Sequence, residues 1–129
     1  MSGTVCPFCL ANGLLSDAPV NETAHFYTLM SIDPSLPHAA LVIPRRHSAT
    51  PFEMNAAEWA DLPNALAAAR TLLEPLGPQG FNIGWNVGAT AGQKVFHTHM
   101  HVIARFADDP MAGSGIRHAF KTRTSGGHA

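Results

Sequence analysis

The chain has 129 residues, enough for one domain with its own hydrophobic core, and we expect a single domain over residues 1–129. Lys and Arg number 8 and Asp and Glu number 9, so the formal net charge of −1 argues against binding to long nucleic acids. The sequence has no apolar run that could cross a membrane, and its start does not resemble a signal peptide. We therefore expect a cytoplasmic protein that does not bind membranes.

The first half of the chain predicts two strands. His25–Ser31 is rich in aromatic and β-favouring residues, and Asp33-Pro34 follows as a break. Ala40–Ile43 is a short apolar run closed by Pro44, which is typical of a buried strand. A turn is expected directly afterwards, over Arg45-Arg46-His47.

A helix is predicted between Asn55 and Leu76. Apolar residues recur there at spacings of three and four, and they should face the sheet: Trp59, Leu62, Leu66, Ala69, Leu72, Leu73 and Leu76. Asn55 is a suitable N-cap. Pro63 lies inside the pattern, and because an interior proline removes a backbone donor, we expect a kink or two shorter helices.

The second half predicts two further strands, Phe81–Asn86 and Phe96–Ile103, separated by a glycine-containing loop at Gly88–Gly92. Residues 106–129 form a C-terminal extension whose last residues, Thr124–Ala129, we expect to be frayed. Four of the eight basic residues follow position 104, and a solvated tail is the expected environment for Arg105, Arg117, Lys121 and Arg123.

Three histidines at period two, His97, His99 and His101, predict a functional site on the last strand. On a strand their side chains leave one face, while the intervening residues pack against the helix. Imidazole has an ordinary pKa of about 6.5, so much of it is neutral and nucleophilic at pH 7. Hydrogen-bonded strand histidines are one alternative. A three-histidine zinc site is another, but residues i and i+4 on a strand lie roughly 13 Å apart, too far to share one ion.

The only two cysteines, Cys6 and Cys9, are so close in sequence that a disulfide between them would not crosslink distant parts of the fold. Two thiolates at this spacing can supply half of a zinc site. A redox pair is less favoured because no strand is predicted before Cys6, and a pair of metal-free thiols remains open.

These motifs together resemble the histidine triad (HIT) family, from about Val5 to Arg105. The segment His97–Ile103 resembles the family signature, and other motifs follow in the family order: Cys6–Cys9, Asp33-Pro34, Leu41–His47, Phe81–Asn86 and Ala91–Gln93. The resemblance implies an α+β fold in which an antiparallel sheet of about five strands packs with one main helix and a short one. It also implies a homodimer.

The same resemblance implies a hydrolase or nucleotidyltransferase that acts on the α-phosphate of a purine nucleotide derivative, such as a phosphoramidate or an adenylated compound. His99 would attack phosphorus and form a nucleotidyl-histidine that water cleaves, and His101 would assist. The glycine loop would offer backbone N–H groups to the phosphate. No organic cofactor is expected, and the positions implied for substrate binding are Asn86, Gly92, Gln93, Lys94 and Ser31.

In relatives that bind zinc, the ligands correspond here to Cys6, Cys9, His47 and His97, so a structural zinc ion is implied. Two positions depart from the family. Ala39 stands where a fourth histidine is usual, and His38, one residue earlier, should point to the opposite face. Ser31 replaces an acidic residue that contacts ribose. A dinucleoside polyphosphate hydrolase and a nucleotide-binding or interaction module with weak catalysis are therefore kept as alternatives.

Overall fold

The computed structural model describes residues 5–121, apart from the side chains of Ala119 and Lys121, so the expected frayed end at Thr124–Ala129 lies outside it. One antiparallel sheet contains five strands: β1 (Asn21–Glu22), β2 (Phe26–Met30), β3 (Ala39–Pro44), β4 (Gly80–Gly84) and β5 (Met100–Arg105). Their order across the sheet is β1-β2-β3-β5-β4. The main helix α1 spans Ala56–Leu73 and a short helix α2 spans His118–Lys121. This is the α+β architecture that the sequence predicted.

The two faces of the sheet pack against different parts of the chain. On one face Val42, Met100 and Val102 pack with α1 in the main core, which contains Phe26, Ala40, Met54, Ala65, Ala69, Leu73 and Ala104 as well. The other face carries a smaller cluster of Tyr27, Leu29 and Ile43, covered by Phe8 and Leu15 of the N-terminal segment. Because side chains alternate along β5, His101 lies on this second face.

Helix α1 begins with a reciprocal cap. The Asn55 side chain accepts a hydrogen bond from the Glu58 amide at 2.8 Å, and the Glu58 carboxylate accepts one from the Asn55 amide at 2.8 Å. The helix runs through Pro63 as one element, so of the two expected alternatives, a kink or two shorter helices, the second is wrong. Pro63 and Trp59 both lie on the exposed side, where water can satisfy the carbonyl that loses its partner.

Only part of the predicted apolar stripe is buried. Ala69 and Leu73 are buried, whereas Trp59 and Leu76 are 46% and 48% exposed. Glu58 and Asp61 are buried in place of Trp59. Their partners come from other elements: Arg46 donates to Glu58 at 2.7 Å, and Asp61 accepts bonds from the Thr23 hydroxyl at 2.7 Å and the His25 amide at 2.8 Å.

The histidine-bearing strand starts later than predicted. β5 begins at Met100 instead of Phe96 and continues to Arg105, so His97 and His99 precede the strand. Thr98 explains the difference because its amide and its hydroxyl both donate to the Ser48 carbonyl, at 2.7 and 3.0 Å. These hydrogen bonds hold the segment before β5 against the turn after β3. The segment therefore does not join the hydrogen-bond ladder of the sheet. Within residues 5–121, neither helix combines the length and the apolar character needed to cross a bilayer.

The buried carboxylates predict a defined dependence of stability on pH. Burial raises the pKa of Glu58 and of Asp61, but hydrogen bonds from Arg46 and Thr23, among others, outweigh it and hold both below their ordinary values. A carboxylate with a lowered folded pKa stabilises the fold fully above its unfolded pKa of about 4, and this contribution is lost as the pH falls through the folded pKa.

We therefore expect the free energy of unfolding, measured by urea denaturation, to fall between about pH 5 and pH 3. The variant Glu58→Gln/Asp61→Asn should be less stable at neutral pH and should lose less stability across this range. Asp17→Asn, on the exposed N-terminal segment, is the matched control and should follow the unmodified protein. Equal acid sensitivity in the double variant would contradict the role given to the two buried carboxylates.

Candidate functional site

Four metal-ligating side chains meet beside the second face of the sheet. Cys6 and Cys9 come from the N-terminal segment, which the Tyr27 hydroxyl anchors by donating to the Phe8 carbonyl at 2.6 Å. His47 comes from the turn after β3, and His97 from the segment before β5. One ligand atom of each side chain lies within 4.8 Å of the other three.

The distances between these atoms fit a tetrahedral zinc site. His97 Nδ1 lies 3.4 Å from Cys6 Sγ, 3.7 Å from Cys9 Sγ and 3.2 Å from His47 Nδ1, and Cys9 Sγ lies 3.3 Å from His47 Nδ1. Zinc bonds of about 2.3 Å to sulfur and 2.05 Å to nitrogen imply tetrahedral separations of about 3.6 Å for S···N and 3.4 Å for N···N. The donor set could therefore hold a metal ion, and the four distances are close to those of a tetrahedral zinc site.

His97 is fixed in the orientation that a metal ligand needs. Its ring is fully buried, and Nε2 lies 2.7 Å from the Pro44 carbonyl. Because a carbonyl can only accept, Nε2 carries the proton and the lone pair of Nδ1 faces the two thiols. Burial lowers the pKa of His97, against a smaller opposing effect of the Pro44 hydrogen bond, so the ring is held in its neutral form.

The backbone of the same residue orients His99. Nδ1 of His99 lies 2.8 Å from the His97 carbonyl and must donate to it. The neutral ring then carries its free lone pair on Nε2. The His99 ring makes edge contacts with Phe8 and His101, each with centroids 5.2 Å apart. Phe8 thus packs beside the central imidazole, a role that the sequence pattern did not indicate.

His101 lies on β5 opposite Leu41. Burial lowers the pKa of His101, and its closeness to His99 lowers it further, so His101 is neutral near pH 7. Its Nδ1 is buried and has no hydrogen-bond partner within the described part of the chain. The expected line of three rings on one strand face is therefore only partly found: His99 and His101 are neighbours, while His97 turns towards the cysteines.

The glycine loop brings Asn86 next to Gly92. Gly92 has a φ of +99°, and a Cβ added there would lie 3.5 Å from the Asn86 side-chain nitrogen. A side chain at this position would be strained by the backbone conformation, although its Cβ would meet Asn86 only at an ordinary contact distance. Two of the residues expected to bind substrate are thus adjacent, and the positive φ favours glycine at the second.

The loop uses several of its own polar groups internally. Gln93 is buried, accepting a bond from the Gly88 amide and donating to the carbonyls of Ala49 and Val95. The amides of Ala91, Gly92 and Gln93 all bond to loop carbonyls, so the expected phosphate donor at Gly92 is not free. Among the described residues, the Lys94 amide has no such partner, and its side chain is exposed. The buried Gln93 side chain therefore stabilises the conformation of the loop.

Within the described part of the chain, Ser31, His38 and Arg105 make no hydrogen bond or ring contact with the histidines or the glycine loop described above. Ser31 directly follows β2, where its amide donates to the Ala39 carbonyl at 2.9 Å and its hydroxyl accepts from the Asp33 amide at 3.2 Å. His38 is outside this site and makes an edge contact with the Phe106 ring at 5.4 Å. Arg105 was expected in a solvated tail, but its guanidinium is bonded to Asp109 at 2.7 Å and is mostly buried.

Comparisons with known proteins agree with this geometry. The family model described as HIT domain matches residues 15–108. An uncharacterised HIT-like protein of Methanocaldococcus jannaschii is 33% identical over 106 residues, which cover 81% of this chain and 82% of that protein. The adenosine 5′-monophosphoramidase of Schizosaccharomyces pombe is 31% identical over 111 residues, covering 85% of this chain and 81% of that enzyme.

A solved structure gives the same result for the fold. The HIT family hydrolase from Clostridium thermocellum superposes with a TM-score of 0.67 at 29% identity, covering 85% of this chain and 96% of that chain. The family model matches well over half of the sequence and includes the predicted histidine and glycine motifs, whereas Cys6 and Cys9 precede the matched region. The chain therefore belongs to the histidine triad (HIT) family.

Proposed function

We propose that this protein is a nucleotide hydrolase or nucleotidyltransferase that acts on the α-phosphate of a purine nucleotide derivative through His99. The observation that carries the proposal is the hydrogen bond from His99 Nδ1 to the His97 carbonyl. It fixes the tautomer in which Nε2 is unprotonated, and only such a nitrogen can attack phosphorus. Similarity to an adenosine 5′-monophosphoramidase supports a phosphoramidate substrate.

The proposed reaction has two displacements. First, His99 Nε2 forms a bond to the α-phosphorus while the bond from phosphorus to the leaving amine breaks, and the amine departs with that electron pair and takes up a proton from solvent. Water then attacks phosphorus and releases a proton to solvent, the Nε2–P bond breaks, and the nucleoside monophosphate leaves as His99 regains its neutral ring. His101, whose ring contacts His99, would hydrogen-bond the phosphate through this sequence. Asn86 and the backbone amide of Lys94 would bind the oxygens of the phosphate.

Removal of the nucleophile should abolish turnover without unfolding the protein. We expect His99→Ala to reduce kcat/KM for adenosine 5′-phosphoramidate by about 10³-fold or more, because the substitution removes the nitrogen that forms the covalent intermediate. After rapid mixing with substrate, mass spectrometry of the unmodified protein should detect an acid-labile nucleotidyl adduct on His99. His25→Ala, which removes a histidine outside the site, is the control.

Three outcomes would count against this function. Turnover in His99→Ala within a few fold of the unmodified protein would exclude His99 as nucleophile. Nucleotide binding without turnover in the unmodified protein would instead favour a binding or interaction module. A kcat/KM for diadenosine tetraphosphate far above that for the phosphoramidate would favour the dinucleoside polyphosphate alternative.

We also propose that Cys6, Cys9, His47 and His97 hold a structural zinc ion. Four protein ligands leave no open position for water, so such an ion would stabilise the fold and take no part in the reaction. It would join the N-terminal segment to the turn after β3 and to the segment before β5.

Metal analysis tests this centre directly. We expect about one mole of zinc per mole of chain after purification with added zinc, and we expect Cys9→Ser to lose it and to lower the Tm. Ser16→Ala, in the same N-terminal segment, should keep the metal and the Tm. Purified protein that holds no zinc and whose Tm does not respond to added zinc would overturn the proposal.

A homodimer is proposed through the β4 side of the molecule. β4 is an edge strand that carries Ile83, 42% exposed. Directly after β4, the ring of Trp85 contacts the exposed Trp59. An unpaired strand edge beside exposed aromatic rings favours association with another chain. We expect sedimentation to give a dimer, Ile83→Lys to give a folded monomer, and Phe52→Lys, at an exposed position elsewhere, to remain dimeric. A monomeric unmodified protein would contradict this.

A further inference from the structure

The Phe8 side chain connects the proposed metal ligands with the central imidazole. In sequence Phe8 stands between Cys6 and Cys9. Its half-buried ring makes an edge contact with His99 at a centroid distance of 5.2 Å and another with His97 at 6.1 Å, at interplanar angles of 75° and 85°. The ring therefore packs directly beside the imidazole that would attack phosphorus.

A single hydrogen bond does not fix the plane of the His99 ring. The bond from Nδ1 to the His97 carbonyl selects the tautomer, but hydrogen-bond angles vary enough for the ring to tilt about the Nδ1···O direction. Two neighbouring rings limit this motion, because His101 and Phe8 each lie 5.2 Å from the His99 ring centroid. His101 belongs to β5, whereas Phe8 comes from outside the sheet. The direction of Nε2 therefore depends on where Phe8 lies.

The N-terminal segment that carries Phe8 has few attachments to the sheet. Within the described part of the chain, residues 5–19 make no backbone–backbone hydrogen bond to another element, and the first such bond, at 2.9 Å, comes from the Val20 amide. Before it, the segment is held by the Tyr27 hydroxyl bond to the Phe8 carbonyl, by apolar contacts of Phe8 and Leu15, and by the two cysteines.

The two cysteines give this attachment its chemical dependence. Cys6 Sγ and Cys9 Sγ lie 3.4 and 3.7 Å from His97 Nδ1. Without an ion, thiols at these distances make weak hydrogen bonds. With zinc bound, both sulfurs are held at fixed distances from one ion, together with the two histidine nitrogens. Because Phe8 stands between the two cysteines, its position depends on whether the metal is bound.

We propose that Phe8 is a positioning residue for the nucleophile, and that metal bound by the two cysteines and two histidines holds the Phe8 ring against His99. This inference rests on the proposed roles of His99 and of the zinc ligands, and it adds a link between them. The ion takes no part in the chemistry, yet its loss slows attack on phosphorus through Phe8. Phe8 acts through His99 and touches no reacting atom.

Three substitutions separate this role from simple packing. Phe8→Leu keeps an apolar side chain next to Tyr27 but removes the ring beside His99. Phe8→Tyr keeps the ring and is the conservative rescue. Leu15→Ala is the matched control, because Leu15 packs on the same small apolar cluster from the same segment and its truncation leaves the Phe8 ring in place.

Rapid-quench kinetics with adenosine 5′-phosphoramidate measure the positioning effect in zinc-loaded protein. We expect Phe8→Leu to slow formation of the nucleotidyl adduct on His99 about tenfold, while the half-saturating substrate concentration changes less than about twofold. Phe8→Tyr and Leu15→Ala should react within about threefold of the unmodified rate. An unmodified rate in Phe8→Leu would overturn the proposal. An unchanged rate with a raised half-saturating concentration would also overturn it, because Phe8 would then be a substrate contact.

Nuclear Overhauser effects without substrate test the link to the metal. In the zinc-loaded unmodified protein, such effects should connect ring protons of Phe8 and His99. They should disappear when a chelator removes the metal and in Cys9→Ser. Effects between Val42 and Met100, which lie together in the main core, should persist and show that the fold is intact. Phe8–His99 effects that survive loss of the metal would overturn the proposal.

The two measurements distinguish failure of this inference from failure of the proposed function. Normal turnover in the unmodified protein and in Phe8→Leu would overturn the positioning role and leave His99 as the nucleophile. Conversely, zinc-dependent contacts between Phe8 and His99 in a protein that turns over no phosphoramidate would contradict the proposed reaction and support the link between the metal and the ring.

Discussion

The arrangement of the site depends on His97, which uses three of its polar groups at once. Its Nε2 donates to the Pro44 carbonyl, its Nδ1 faces the two cysteines and His47, and its own carbonyl accepts from His99. The residue thus connects the end of β3, the N-terminal segment and the central imidazole. A neutral hydrogen bond contributes only about 1 kcal/mol to stability. Its larger effect here is geometric, because each bond fixes which nitrogen of a ring is free.

Buried polar contacts around His97 keep this arrangement in place. The Ser48 hydroxyl lies 2.8 Å from the Thr98 hydroxyl, and both residues are buried. Gln93 joins the glycine loop to the Ala49 carbonyl in the same turn. Buried side chains that make several hydrogen bonds have little freedom to reorient. His99 and the glycine loop are therefore both held in position relative to the turn after β3.

Local signals in the sequence predicted much of this structure. The Asn55 cap, the strand at Ala40–Ile43 and the α+β architecture depend on residues close together in the chain, and each was found at or near the expected position. The alternation of Met100 and Val102 with His101 was also correct, because it follows from strand geometry alone.

Features that depend on distant partners could not be predicted in this way. Burial of Glu58 and Asp61 on α1 requires Arg46 and Thr23 from other elements, and a hydrophobic pattern gives no sign of them. Arg105 looked like part of a basic tail because its acceptors are carbonyls and side chains that only the folded C-terminal segment brings together. The late start of β5 has the same origin, since Ser48, far away in sequence, pairs with Thr98.

The most direct test is the protonation state of the two histidine rings. In protein labelled with ¹⁵N at histidine, long-range ¹H–¹⁵N correlation spectra near pH 7.5 identify the protonated nitrogen of each neutral imidazole. We predict a proton on Nδ1 of His99 and on Nε2 of His97. A His99 ring that carries its proton on Nε2 would have no lone pair directed at a substrate, and that result would contradict the assignment of His99 as the nucleophile.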